Sequence, residues 1–185
     1  MLEEVYQETN EKMEKTISNL KEELGGVRAG RANPHILDRI RVDYYGTPTP
    51  LNQVGNIMVP EPRLLMIAPW DPNMIPAIEK ALQTSDIGIM PSNDGKVIRL
   101  AFPELTEERR HDLVKLIHKM GEEAKIAIRN ERRQANDELK KEQKHNDLTE
   151  DDLRDGEDEV QRMTDEHTKT IDALVAEKEK EIMEV

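Results

Sequence analysis

The sequence predicts an α+β chain, an elongated three-helix bundle with a small β/α/β domain inserted between its first and second helices. Three observations predict it. Apolar residues recur every three or four positions at both ends of the chain; nine of the ten prolines crowd between residues 48 and 103; and only one Phe, one Trp and three Tyr occur in 185 residues. So few aromatics favour slender packing of Leu, Ile, Val and Met along helices over a broad globular core.

In the first helix Leu2, Tyr6, Thr9, Met13, Ile17, Leu20, Leu24 and Val27 form one seam. Gly25 and Gly26 weaken its end, and the stretch from Ala29 to Pro34 stops it, because Pro34 biases Asn33 away from helix. From Ile36 to Phe102 the period changes. Ile40, Val42 and Tyr44 alternate as a half-buried strand, residues 45–48 supply a turn, and residues 63–68 and 96–101 are two further strands. Between them Met74, Ile75, Ile78, Ala81 and Leu82 line one face of a short helix, with residues 92–95 as a tight turn into the last strand.

After Pro103 the helical period returns and runs to about His145, with Leu113, Leu116, Ile117, Met120, Ala124, Ala127 and Ile128 as its apolar stripe and Thr106 as its N-cap. Thr149 caps a third helix whose acidic first turn suits the helix dipole. That helix buries Val160, Met163, His167, Ile171, Leu174 and Ile182. No single helix of this kind hides its own stripe, so the three must pack together. The expected domains are 1–29 with 105–185 as the bundle and 30–104 as the insert. Ala29, Gly30, Arg31, Ala32 and Asn33, with Pro103, Glu104 and Leu105, form a two-stranded hinge, and the expected shape is a rod with a head set at an angle.

The net charge of −12 conceals a segregation. Residues 1–29 carry 4 basic and 7 acidic residues, 30–104 carry 7 and 8, 105–145 carry 11 and 9, and 146–185 carry 5 and 15. Only the third segment is net positive. At roughly 100° per residue its Lys125, Arg129, Arg132 and Arg133 fall within about 100° of one another, opposite the apolar stripe. Arginine suits bidentate phosphate contacts, and the stripe exceeds its local acids Glu122 and Asp137, which favours an RNA backbone over a merely solvated face. Arg110 extends the same face, as do Arg28 and Arg31, for which capping and solvation are equally good readings.

Chemistry fares poorly by comparison. There is no cysteine, no G-x-x-x-x-G-K-[ST] loop and no G-x-G-x-x-G, and the five histidines are dispersed, so neither catalysis, metal nor cofactor is expected. The acids at 150–152 are explained by the helix start. Tyr44 and Tyr45 could stack on bases, although one of two adjacent strand residues normally faces the core. The acidic opening residues lack the form of a signal peptide, and no apolar span suits a bilayer, so a cytoplasmic location is expected; the chain is also expected to be a monomer.

The runs VRAGRANP (27–34), DYYGTPTPL (43–51), IEKAL (78–82), SDIG (85–88), LTEERR (105–110) and IRNERR (128–133) resemble those of the bacterial ribosome recycling factor family, in order and over essentially the whole chain. The resemblance implies an L-shaped molecule, like transfer RNA in outline, that does no bond chemistry. It implies binding to the post-termination ribosome and, with elongation factor G hydrolysing GTP, splitting of it into subunits. The bundle would lie on large-subunit ribosomal RNA through Arg110, Arg129, Arg132 and Arg133, with Arg28 and Arg31 near the tip, while elongation factor G moves the head. Two positions depart from the family pattern: Glu131 stands where an aliphatic residue is usual and projects toward the core, where it needs a partner such as arginine, and Gln134 replaces an acid. The main alternative is a coiled-coil or chaperone-like interaction protein without ribosome binding.

Overall fold

The computed structural model describes residues 1–184 and divides into two compact units. One comprises Met1–Arg28 and the chain from Glu107 onward; the other is Ala29–Thr106.

The first unit consists of α1 (Leu2–Gly25), α4 (Glu107–Lys144) and α5 (Glu150–Met183), each packed on the other two. Met13, Ile17, Ile117, Ile128, Leu139, Val160, Ile171 and Ile182 are all but inaccessible along its axis. Burying each such side chain contributes about 1.5–3 kcal/mol, which is what holds helices of this length together. The stripe of α4 runs Leu113, Ile117, Gly121, Ala124, Ile128, Ala135 and Leu139. Leu116, expected in it, is 41% exposed, because it sits one position off the line that faces both neighbouring helices. In α5, Leu174 is only half-buried and Val175 takes the core position. The helices approach closely at glycine: a Cβ on Gly121 would stand 2.7 Å from Val175 Cγ2, and one on Gly156 2.9 Å from Leu139 Cδ1.

Helix α4 begins directly after Thr106, and two residues beyond its end at Lys144 the chain turns at Asn146, whose φ is 59°; the Asp147 amide returns to the Glu142 carbonyl at 3.0 Å. Helix α5 then opens on a reciprocal capping box: Thr149 Oγ1 accepts from the Asp152 amide (3.0 Å) and Asp152 Oδ2 from the Thr149 amide (3.1 Å).

The second unit is richer in strands than expected. A hairpin of β1 (Arg41–Tyr44) and β2 (Thr47–Pro50) is followed by the short α2 (Leu51–Val54). A four-stranded antiparallel sheet, ordered β3-β4-β6-β5, is built from β3 (Gly55–Glu61), β4 (Leu64–Pro69), β5 (Ser92–Asn93) and β6 (Ile98–Ala101). Helix α3 (Ile75–Thr84) contributes Ile78 and Leu82 to the core with Leu65, Ile67, Ile98 and Leu100. Strands β2 and β3 escape the sequence signal because Pro48, Pro50 and Pro60 interrupt it. Both are edge strands, where a missing amide costs no ladder bond. Ser92 and Asn93, expected in the turn, pair with Arg99 and Ile98, so the turn shifts to Asp94 and its successors. The segments expected as a hinge group with this unit: the Ala32 amide donates to the Pro62 carbonyl and the Phe102 amide to that of Arg63, both at 2.8 Å, while the Arg63 side chain pairs with Glu104.

Three local features depart from the simplest reading. Tyr45 and Gly46 form the hairpin turn with φ of 50° and 87°, the geometry of a type I′ turn; a tyrosine in the left-handed region costs about 1–2 kcal/mol where Asn or Gly is usual. Neither adjacent tyrosine faces the core, since Tyr44 is 42% and Tyr45 74% exposed. Glu131 does turn inward, but its partner is a hydroxyl and not an arginine: Thr16 Oγ1 donates to Oε1 at 2.7 Å, while Oε2 is buried with no partner.

An orphaned, half-buried carboxylate oxygen loses its water without compensation. Glu131→Leu is therefore expected to stabilise the bundle by about 1 kcal/mol, a rise of roughly 2–4 °C in a thermal unfolding scan. In the other unit, Asp94 Oδ1 accepts from the Lys96 and Val97 amides, each at 2.9 Å, and Arg99 donates to Oδ2 at 3.0 Å. The two backbone bonds, with Arg99, hold its carboxyl at about 2, below the ordinary 3.8. A depressed folded pKa stabilises above the unfolded value and is lost on acidification, so protection of the Lys96 and Val97 amides from hydrogen exchange should fall between about pH 4 and pH 2. An Asp94→Ala chain should lack that step.

Candidate nucleic-acid interface

The stripe of buried residues on α4 decides what its other side offers. Arg129 and Arg133 point outward, exposed, and neither has a carboxylate or hydrogen-bond partner among the described residues. Continuing the same repeat, the exposed Lys115, Lys119 and Lys140 fall within roughly 80° of Arg129 and Arg133 in projection. Five cations thus line about 38 Å of one helix face. The three lysines were not singled out from the sequence, although Lys115 and Lys119 each lie 14 residues before one of the two arginines and Lys140 lies seven after Arg133, close to whole numbers of helical turns. Ile126, 51% exposed, lies among them and offers the face one apolar contact.

The remaining expected residues divide by neighbourhood. Lys125 lies on the shoulder facing α5, where its ammonium meets Asp172 at 2.5 Å and Glu122 at 3.5 Å with its side chain only 19% exposed. The hydrogen bond to Asp172, opposed by burial, raises its pKa. Its charge is already spoken for. Arg132, half-buried on the same shoulder, donates to Gln161 Oε1 at 3.2 Å, and Gln161 in turn donates to Asp165 at 2.9 Å. Its guanidinium is held in place without an ion pair, which leaves its charge available. Arg110 is half-buried, with an enclosed Nε that meets no acceptor. Arg28 is exposed at the end of the bundle unit, and Arg31 is exposed in the inserted unit.

The neighbouring α5 has the opposite character. Its Arg162 is clasped by Glu159 and Glu166 of its own helix, and its carboxylates outnumber its cations threefold over residues 146–185. The pairing of Lys125 with Asp172 marks where the cationic face ends.

Three of the histidines are engaged in separate local contacts. His35 meets Asp38 at 3.1 Å, His118 meets Glu179 at 3.0 Å and the buried His167 spans from the Met163 carbonyl (2.7 Å) to Glu14 (3.2 Å). These are separate sites. No group of three or more His, Asp or Glu among the described residues is arranged to hold a metal, and no described helix is long and apolar enough to cross a membrane.

Comparison with known proteins gives the same answer from sequence and from shape. Residues 20–183 match the family model described as Ribosome recycling factor. The chain is 59% identical over 182 residues to the ribosome-recycling factor of Caldicellulosiruptor bescii, covering 98% of this chain and 99% of that one. It is equally similar to that of Clostridioides difficile, with 98% of each covered. Among solved structures it resembles a ribosome recycling factor in solution, with a TM-score of 0.78 and 40% identity over 100% of this chain and 98% of the other. It also resembles the Thermus thermophilus factor in a model with the Escherichia coli elongation factor G on the post-termination complex, with a TM-score of 0.64 and 45% identity over the full length of both.

If the outward face of α4 contacts phosphate, Arg129→Ala and Arg133→Ala should each lower the slope of log affinity against log salt by about 1 on structured RNA. Lys125→Ala, which removes a charge already paired, should change the slope little. Fluorescence anisotropy across a salt series reads both.

Proposed function

Because the chain belongs to the ribosome recycling factor family, we propose that it binds the post-termination ribosome and, with elongation factor G, promotes dissociation into subunits, freeing the ribosome from mRNA. One observation of the structure supports this most directly: an acidic molecule keeps an unpaired cationic helix face of five residues. In this reading that face of α4, with Arg132 and Arg110, lies on large-subunit ribosomal RNA. Arg28 and Arg31 add contacts from their own segments.

The chain acts without making or breaking a covalent bond. GTP is hydrolysed by the partner, and this protein contributes binding energy and a surface on which force is exerted. The bundle anchors, and the inserted unit is what elongation factor G moves, with the two crossings of the chain between units as the hinge. Such a factor works as a monomer in the cytoplasm, where ribosomes terminate. A coiled-coil or chaperone-like role would leave the outward cations of α4 without a purpose, and full-length similarity to recycling factors speaks against it.

The test is splitting of purified post-termination ribosomes, followed by light scattering. Splitting should require the chain, elongation factor G and GTP together, and the chain alone should hydrolyse no GTP. Arg129→Ala or Arg132→Ala should raise the factor concentration for half-maximal splitting about tenfold, the equivalent of roughly 1.4 kcal/mol. A ribosome affinity and a salt slope unchanged in both variants would falsify the assignment of this face to RNA.

A further inference from the structure

Three polar residues of α4 recur at seven-residue intervals on the shoulder that faces α5: His118, Lys125 and Arg132. Successive members drift by only about 20°, so all three meet the same neighbouring helix. Two of them meet carboxylates, His118 with Glu179 and Lys125 with Asp172. The third meets an amide. Arg132 Nη1 donates to Gln161 Oε1 at 3.2 Å, although α5 is crowded with acids and Gln161 is its single side-chain amide.

That amide has one favourable orientation. Its Nε2 donates to Asp165 Oδ1 at 2.9 Å while its oxygen accepts from Arg132; turned round, it would set NH2 against the guanidinium and oxygen against the carboxylate. Gln161 thus stands between the cation and Asp165, passing on a hydrogen bond without an ion pair. Neighbouring acids are taken up elsewhere, since Glu159 and Glu166 clasp Arg162. Packing does not require the contact: Gln161 and Asp165 are both exposed, and surface changes of that kind alter stability little. What the contact does is hold one nitrogen of the half-buried Arg132. Its Nε and Nη2 have no partner among the described residues, and together they form an edge matched to two phosphate oxygens.

We propose that Gln161, oriented by Asp165, is a positioning residue for Arg132: it fixes the guanidinium for phosphate and keeps the carboxylates of α5 from neutralising it. An arginine has several rotatable bonds, and freezing them on binding costs affinity; a side chain already held loses less. Lys125 shows the alternative on the same shoulder, where a carboxylate in direct contact has taken up the cation. The inference rests on the function proposed above, in which Arg132 contacts large-subunit ribosomal RNA.

The test uses full-length chains on purified large ribosomal subunits, with binding measured across a salt series. Gln161→Glu turns the neutral acceptor into a carboxylate on Arg132. Its affinity should fall to the level of Arg132→Ala, and the slope of log affinity against log salt should fall by about 1. Gln161→Ala, which frees the guanidinium, should weaken binding severalfold. Thermal midpoints should stay close to that of the natural chain in both. Combined with Arg132→Ala, each change should add little further loss, because its effect runs through that side chain. Equal losses with and without Arg132 overturn the proposal, since they mark a contact or a repulsion that bypasses the arginine. Affinity and slope unchanged in both single variants, with Arg132→Ala weakened, overturn it and leave the RNA face standing. If Arg132→Ala itself binds as the natural chain does, the assignment of Arg132 to RNA falls and the positioning role falls with it.

Discussion

The mutual burial of one apolar stripe from each of α1, α4 and α5 is the constraint on which the rest depends. A helix of 38 residues takes most of its stability from the packing of its apolar face, so the line from Leu113 to Leu139 must face its neighbours along its whole length. Once that line is set, the direction of every other side chain on α4 follows from the helical repeat. Arg129 and Arg133 face outward because Ile128 and Ala135 face inward. The cationic face is thus a by-product of the packing surface, and cation placement over about 38 Å comes without any dedicated scaffold.

The close approaches at Gly121 and Gly156 serve the same end. With Val175 and Leu139 seated where a side chain would otherwise stand, α5 lies near enough to α4 for Asp172 to reach Lys125 and for Gln161 to reach Arg132. Packing distance therefore decides which cations are neutralised and which remain available. Glu131 is the exception to this economy: it occupies an inward position, satisfied on one oxygen by Thr16 and on the other by nothing.

Helices, with the Thr149 cap of α5, were legible in the sequence because a stripe repeated over about seven turns and a Thr149 to Asp152 box are strong local signals. The family resemblance rested on runs that span both units. The arginine stripe was visible for the same reason, but its sorting into paired and unpaired members was not, since Asp172 and Gln161 lie dozens of residues away in sequence. The strands were less legible. Proline silences the alternation that reveals a strand, and β2 and β3 tolerate proline only because they are edges, which is a property of the assembled sheet. The exposure of both Tyr44 and Tyr45 follows from the turn beginning at Tyr45, where the alternation of the strand no longer applies.

The acidic α5 beside the cationic α4 makes the bundle an electric dipole directed across its width. In the field of a polyanion such a body experiences a torque, so encounters in which α4 leads are drawn in and encounters in which α5 leads are pushed away. Recognition is thereby sorted by orientation before any contact forms. The negative side would likewise shorten contact with any polyanion that engages only part of the face.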